Sequence, residues 1–262
     1  MRPSSRSEGA VSGTIVDAWR SGKRALGLWT NLADAHATEV LAHAGCDWIC
    51  IDLQHGLAEI GDLQRLLPGI EKSPATPIVR VRANAADQIG RVLDLGAAGV
   101  IVPMVSTVAE AEAAAAACRF PPRGTRSCGP VRAAMHDGGY LGTADDRVAC
   151  IVMIETTVGL EQVEAIAAVQ GVDALFVGPF DLSYALGVGP RGIGGDAFEA
   201  ALARIRGAAA AADKPVGIFG ADADRAAAFL AAGFDFASVG VDVNLLAAEA
   251  RRALARARSA DA

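Results

Sequence analysis

The chain has 262 residues, of which 52% are hydrophobic and 21% charged, and its 24 basic and 30 acidic side chains leave a net charge of −6. That composition excludes bulk disorder, and no apolar run approaches the ~18 residues needed to span a bilayer. The acidic balance offers no electrostatic footprint for nucleic acid or for an anionic membrane surface.

The first ten residues, MRPSSRSEGA, are polar and lack the apolar stretch of a signal peptide. They read as a disordered tail on a protein that is not exported, followed by one domain over 11–258. Cys46, Cys50, Cys118, Cys128 and Cys150 are odd in number and form no CxxC pair. Structural zinc and a disulfide framework are disfavoured, and a reducing cytoplasm fits.

Eight Val- and Ile-rich runs are expected as strands: 25–30, 48–53, 77–81, 99–104, 149–155, 174–178, 215–219 and 236–241. Helical segments are expected between them at 34–44, 59–70, 86–95, 107–118, 158–168, 196–212 and 222–232. A closing helix is expected at 243–258 and an extra one at 11–21. Strands separated by helix-length crossovers pair in parallel.

Four junctions share one form, AGCDWICID, LGAAGVIVP, QGVDALFVG and AGFDFASVG. In each, a helix runs into a Gly suited to a left-handed C-terminal cap, and an apolar strand follows. Eight such units fit a single-domain α/β protein, a (β/α)₈ TIM barrel, better than an open doubly wound sheet. An open sheet would also call for a GxGxxG turn after strand 1, which is missing. Two connections are rich in Pro and Gly: 119–148, expected to form a lid, a binding loop or an oligomer contact, and 181–195.

Barrel enzymes carry their chemistry at the carboxyl ends of the strands. Strand 2 ends in Asp52 with His55 just beyond, strand 3 carries Arg80, strand 5 ends in Glu155, and Asp181 follows strand 6. Singly, each has an ordinary reading: a turn aspartate, a solvated histidine, a glutamate or aspartate favouring a helix N-terminus. Together, on one arc of strand ends, they point to a site. Arg80 and Arg82 share a face by alternation, and a buried arginine in a central strand needs an anionic partner.

Two carboxylates without a neighbouring histidine or cysteine make an oxygen-only donor set suited to Mg²⁺ or Mn²⁺. A 2-oxo acid chelating such an ion would find a Lewis acid for its developing enolate. A Schiff-base route is disfavoured, because Lys23, Lys72 and Lys214 all precede strands and lie at the wrong end of the barrel. A phosphate-binding isomerase is disfavoured by the aspartates of GADAD and DVNLL after strands 7 and 8.

The segments GLWTNLADAHATEVLAHAGCDWICIDLQHG, PIVRVRAN, RFPPRGTRS, VMIET and GVDALFVGPFDLS resemble the HpcH/HpaI family of metal-dependent aldolases, from about Gly27 to Leu246. The resemblance implies a class II aldolase that makes or cleaves 4-hydroxy-2-oxo acids through pyruvate, or a related 2-oxo acid, and an aldehyde. It implies Glu155 and Asp181 as ligands of a divalent cation (Mg²⁺, Mn²⁺ or Co²⁺) and Arg80 at the pyruvate keto oxygen. It further implies His55 at the aldol hydroxyl with Asp52 as its acidic companion, and backbone groups of Gly178, Pro179 and Phe180 around the pyruvate carboxylate. A cytoplasmic homo-oligomer, a hexamer built as a trimer of dimers, is implied as well.

The chain departs from the family pattern at Gln54 beside the histidine, at Ala83 and Arg82 after strand 3, at Phe180 before the second metal aspartate, and in Arg126-Ser127-Cys128-Gly129-Pro130. The metal and pyruvate half is intact and the aldehyde half altered. Two alternatives stand beside the aldolase. One is an acyl-CoA lyase of the citrate-lyase beta or malyl-CoA lyase type, and the other is a noncatalytic barrel binding sugar acids.

Overall fold

The computed structural model describes residues 14–259, so the expected tail and the first residues of the extra helix lie outside the described residues. Eight parallel strands close into a barrel in sequence order. They are β1 (Ala25–Thr30), β2 (Trp48–Asp52), β3 (Thr76–Arg80), β4 (Gly99–Val102), β5 (Ala149–Ile154), β6 (Ala174–Val177), β7 (Val216–Ile218) and β8 (Phe236–Val241). Each of the four recurring junctions turns through a glycine of positive φ: Gly45 at 97°, Gly96 at 107°, Gly171 at 88° and Gly233 at 101°. A side chain would be strained there, which is why one junction recurs in the sequence. Helix starts are fixed locally too: Asp34, Thr107, Thr156 and Asp222 each accept a hydrogen bond from a first-turn backbone N–H.

Alternation along the strands sorts residues into two cores. Ile49, Ile51, Val79, Val100, Val102, Val152, Ile154 and Leu175 face outward into the layer beneath the helices. Trp29, Trp48, Cys50, Ile78, Ile101, Ile151, Met153, Phe176 and Phe236 fill the barrel interior. Bulky rings fit inside because Gly27 and Gly217 leave room: a Cβ on either would collide with the ring of Trp48 or Phe236. Trp29 stacks on Phe176 with ring centroids 5.9 Å apart. The short helix Ile15–Arg20, capped by Thr14 and Asp17, closes the amino-terminal end of the barrel and sets Trp19 against Phe236.

Three expectations need correction. The segment expected as one helix over 158–168 is two, Thr157–Glu161 and Val163–Ala167, broken at Gln162. The 119–148 connection is not a lid over the barrel mouth. It contains helices Val131–His136 and Tyr140–Arg147, and it docks at the opposite end. Arg126 pairs with Asp94, Arg132 with Glu71, and the Tyr140 hydroxyl donates to the Leu93 carbonyl, all at the end where helices run into strands. The 181–195 stretch likewise opens as helix Pro179–Ala185.

Candidate active site

The carboxyl ends of the strands surround a cavity of about 340 Å³ whose walls include Trp29, Asp52, His55, Arg80, Gly178 and Asp181. Period-two alternation predicts this arrangement: Asp52 follows the inward Cys50, Arg80 follows Ile78, and Glu155 follows Met153. These side chains therefore form the layer directly above the aromatic plug, where water can reach what the core beneath excludes.

The register of β2 against β3 makes Asp52 and Arg80 direct partners. Their side chains meet in a two-pronged ion pair, Nε to Oδ1 at 2.9 Å and Nη2 to Oδ2 at 2.6 Å. Trp29 Nε1 also donates to Asp52, and the guanidinium carbon lies 5.0 Å from the Trp29 ring centroid. Burial works against the Asp52 charge, but the bonds and charge of Arg80 outweigh it, with help from Trp29 and the Gln54 amide. The carboxyl is held below its ordinary range as a result. Burial likewise opposes the Arg80 charge and Asp52 outweighs it, so the guanidinium stays charged.

Asp52 was expected beside the imidazole of His55, and the carboxylate is instead turned to Arg80. It reaches His55 only through the backbone, accepting the amides of Gln54 at 3.0 Å and of His55 at 3.3 Å. The His55 side chain is exposed at the rim. Arg82 does not share the inward face with Arg80. The strand ends at Arg80, and Arg82 turns away to the Leu53 carbonyl and Glu59.

Glu155 is buried, and its Oε1 accepts the Met104 backbone N–H at 2.7 Å. Met104 holds a left-handed φ of 59° to deliver that bond, a strain that a non-glycine residue adopts only when its surroundings impose it. The other oxygen, Oε2, has no hydrogen-bond partner and faces Gly178 so closely that a Cβ there would overlap it. Burial pushes the Glu155 carboxyl up to about 7, and the negative charge of nearby Asp181 adds to the effect. A buried anion with an orphaned oxygen beside a second carboxylate fits a cation between them. Among the described residues no group of three or more His, Cys, Asp or Glu side chains could enclose a metal. A cation held by this pair would keep open positions for a chelating ligand.

Asp181 lies in the first turn of helix Pro179–Ala185, whose N-cap is Gly178. The amides of Phe180 and Asp181 have no acceptor within that turn, and Pro179 has none to offer. Residues not anticipated from sequence also line the cavity, namely Trp29, Asn31 and Phe219. An aromatic in a strand reads as core by its type alone. Asp242, just beyond β8, anchors the Asn31 loop by accepting the amides of Asn31 and Leu32.

The family model for HpcH/HpaI aldolase/citrate lyase matches residues 25–248. The chain is 40% identical over 250 residues to a hydroxypyruvate/pyruvate aldolase of Rhizorhabdus wittichii, covering 94% of this chain and 98% of that one. It is also 40% identical over 235 residues to a 2-dehydro-3,6-dideoxy-6-sulfogluconate aldolase of Pseudomonas putida, covering 87% and 91%. A crystal structure of a family protein from Burkholderia cenocepacia superposes with a TM-score of 0.88 at 37% identity, over 93% of this chain and 98% of that one. A match of this extent, with the barrel and its carboxylate-bearing mouth, settles the assignment: the chain belongs to the HpcH/HpaI aldolase/citrate lyase family.

Proposed function

We propose that this protein, a carbon–carbon lyase of the class II pyruvate-aldolase type, cleaves and forms 4-hydroxy-2-oxo acids at the barrel mouth. Glu155 and Asp181 would hold a divalent cation, and pyruvate or a related 2-oxo acid would bind beside it. The observation that carries this reading is the buried Glu155 Oε2, without a partner and set beside a second carboxylate. A divalent cation held there would supply Lewis acidity to a bound 2-oxo acid.

The remaining roles follow from this chain's own groups. Asp52 holds Arg80 by Nε and Nη2, so that guanidinium stays fixed where negative charge grows on the keto oxygen. The free first-turn amides next to Gly178 and Pro179, on Phe180 and Asp181, suit the substrate carboxylate. His55 at the rim takes the proton of the C4 hydroxyl in cleavage and returns it in synthesis. Asp52 supports that base indirectly, by tethering the amides of the loop that carries it.

Incubating the protein with pyruvate, Mg²⁺, Mn²⁺ or Co²⁺ and a panel of aldehydes should give aldol products by mass, and excess chelator should stop the reaction reversibly. Full activity in chelator would sink the metal assignment. His55→Ala should lower aldol cleavage by about 10²-fold. It should leave decarboxylation of oxaloacetate largely intact, since no C4 hydroxyl proton moves in that reaction. Equal losses in both reactions would make His55 an organiser of the site rather than its base.

We also infer a homo-oligomer, a hexamer built as a trimer of dimers. Helix Asp242–Ser259 buries only Asp242 and leaves Leu245, Leu246 and Leu254 exposed, while Leu26 on the barrel wall is 40% exposed. Apolar surface of this kind on a barrel wall is normally covered. Light scattering on a sizing column checks it, and a monomer mass would overturn it. A cytoplasmic location is proposed from five cysteines that are all free, four of them buried. Among the described residues no helix is long and apolar enough to cross a membrane.

A further inference from the structure

We infer that Asp242 is a positioning residue for His55: its carboxylate, just beyond β8, fixes the loop leaving β1, and that loop holds the segment carrying the histidine. The role rests on the aldolase reading above, in which His55 moves the proton of the C4 hydroxyl.

The connection runs through backbone hydrogen bonds. The register of β1 against β8 slips by one residue, so that Val241 stands level with Trp29. Asp242 therefore comes level with Thr30, the last residue of β1, beside the loop that follows. Its Oδ1 and Oδ2 each accept the Asn31 amide at 3.0 Å, and Oδ2 accepts the Leu32 amide at 2.8 Å. Asn31 passes the constraint on through its carbonyl, which accepts the Leu57 N–H at 2.7 Å. Between Leu57 and His55 stands Gly56, which has no room to shift. A Cβ there would overlap the Asp52 carbonyl oxygen and crowd Asn31 Cα at 3.2 Å.

On its other side the same segment is tied to the Asp52 carboxylate by the amides of Gln54 and His55. His55 thus sits between two buried carboxylates, Asp52 at 1% exposure and Asp242 at 5%. They differ in reach. Asp52 also grips Arg80, whereas Asp242 holds only backbone amides. Asn31 and His55 both line the cavity, so slack in the Asn31 loop is felt where His55 works. Capping the closing helix accounts for the bond from the Val243 amide at 2.7 Å, and a serine or asparagine would do that as well. It does not account for the bonds from Asn31 and Leu32, 211 and 210 residues away.

The test uses Asp242→Asn and Asp242→Ser, both of which keep a capping oxygen. Asparagine turns one acceptor into a donor facing an amide, and serine is too short to reach the Asn31 loop. In the metal-free protein, amide hydrogen exchange read by mass spectrometry should quicken by ~10-fold or more in peptides covering 31–32 and 54–57. It should stay unchanged in peptides covering Arg80 and Glu155. With 4-hydroxy-2-oxopentanoate and Mn²⁺, kcat for cleavage should fall by ~10-fold or more, with KM and the decarboxylation of oxaloacetate within about twofold. Added to His55→Ala, Asp242→Asn should cause no further loss of kcat, because the group it positions is already gone. Unchanged amide exchange at 54–57 would overturn the inference. So would a full further loss in the double variant, or an equal fall in decarboxylation, either of which would make Asp242 a structural residue. No cleavage by the unmodified protein would overturn the aldolase reading and the role of His55 with it, and amide exchange would still read the tether by itself.

Discussion

Glu155→Gln is expected to lower aldol turnover by roughly 10³-fold, because it removes a proposed cation ligand that would be worth several kcal/mol of transition-state stabilisation. The fold should survive, and its response to pH identifies the cause. In the metal-free protein the Glu155 carboxyl is pushed up to about 7 from an ordinary 4.5, by burial first and then by Asp181. A carboxyl with a raised pKa in the folded state favours folding in its protonated form. Its contribution is full below about 4.5 and is lost as the pH rises through about 7. Glutamine cannot ionise, so metal-free Glu155→Gln should melt higher than metal-free wild type at pH 8, and the gap should close toward pH 5. Added Mn²⁺ should reverse the order at pH 8 by stabilising only the wild type. Thermal melts of chelator-treated samples at the two pH values check this. A variant that is less stable at pH 8 without metal would make Glu155 a structural residue.

Arg80→Ala should cost both catalysis and stability, and by separate routes. Loss of a donor at the developing oxyanion commonly lowers turnover by about 10²–10³-fold. The same change leaves Asp52 buried with its partner removed, and breaking a buried pair on one side costs roughly 3–5 kcal/mol. Asp52→Asn with Arg80→Ala should recover much of the stability and little of the activity, because the stranded charge is gone but the donor is still missing. Urea unfolding together with single-turnover kinetics on the two variants and the wild type reads both effects. Turnover retained in Arg80→Ala, with only KM raised, would make Arg80 a binding residue. Arg80→Lys should also be impaired, since one ammonium cannot hold both Asp52 oxygens and still face the substrate.

The two carboxylates, the arginine and the histidine were legible because barrel strands announce themselves locally and their carboxyl ends are where chemistry resides. Their partners were less so. The family resemblance pairs Asp52 with His55, three residues away, whereas strand register brings Arg80 opposite it from 28 residues away. Simple alternation puts Arg82 on the inward face with Arg80, but the strand ends at Arg80 and alternation with it. Helices Val131–His136 and Tyr140–Arg147 were hidden in a segment punctuated by Pro130, Gly138 and Gly139. Helices so short are not stable on local preference and form by docking, here through Arg132 to Glu71 and Tyr140 to Leu93. Nothing in the residue type of Met104 signalled that its amide would serve Glu155 from a left-handed turn.

What the amino-acid order determined by itself was therefore whatever depends on near neighbours. Apolar runs, glycine caps at Gly45, Gly96, Gly171 and Gly233, and the parity that turns Arg80, Glu155 and Asp52 inward are all properties of a few consecutive residues. What only the tertiary structure decided was which of those inward groups touch. That depends on the stagger of one strand against the next and on the space left by Gly178, and closing the barrel sets both at once. Asp52 is spent on Arg80 and Glu155 Oε2 is left without a partner, a division that no spacing along the chain encodes.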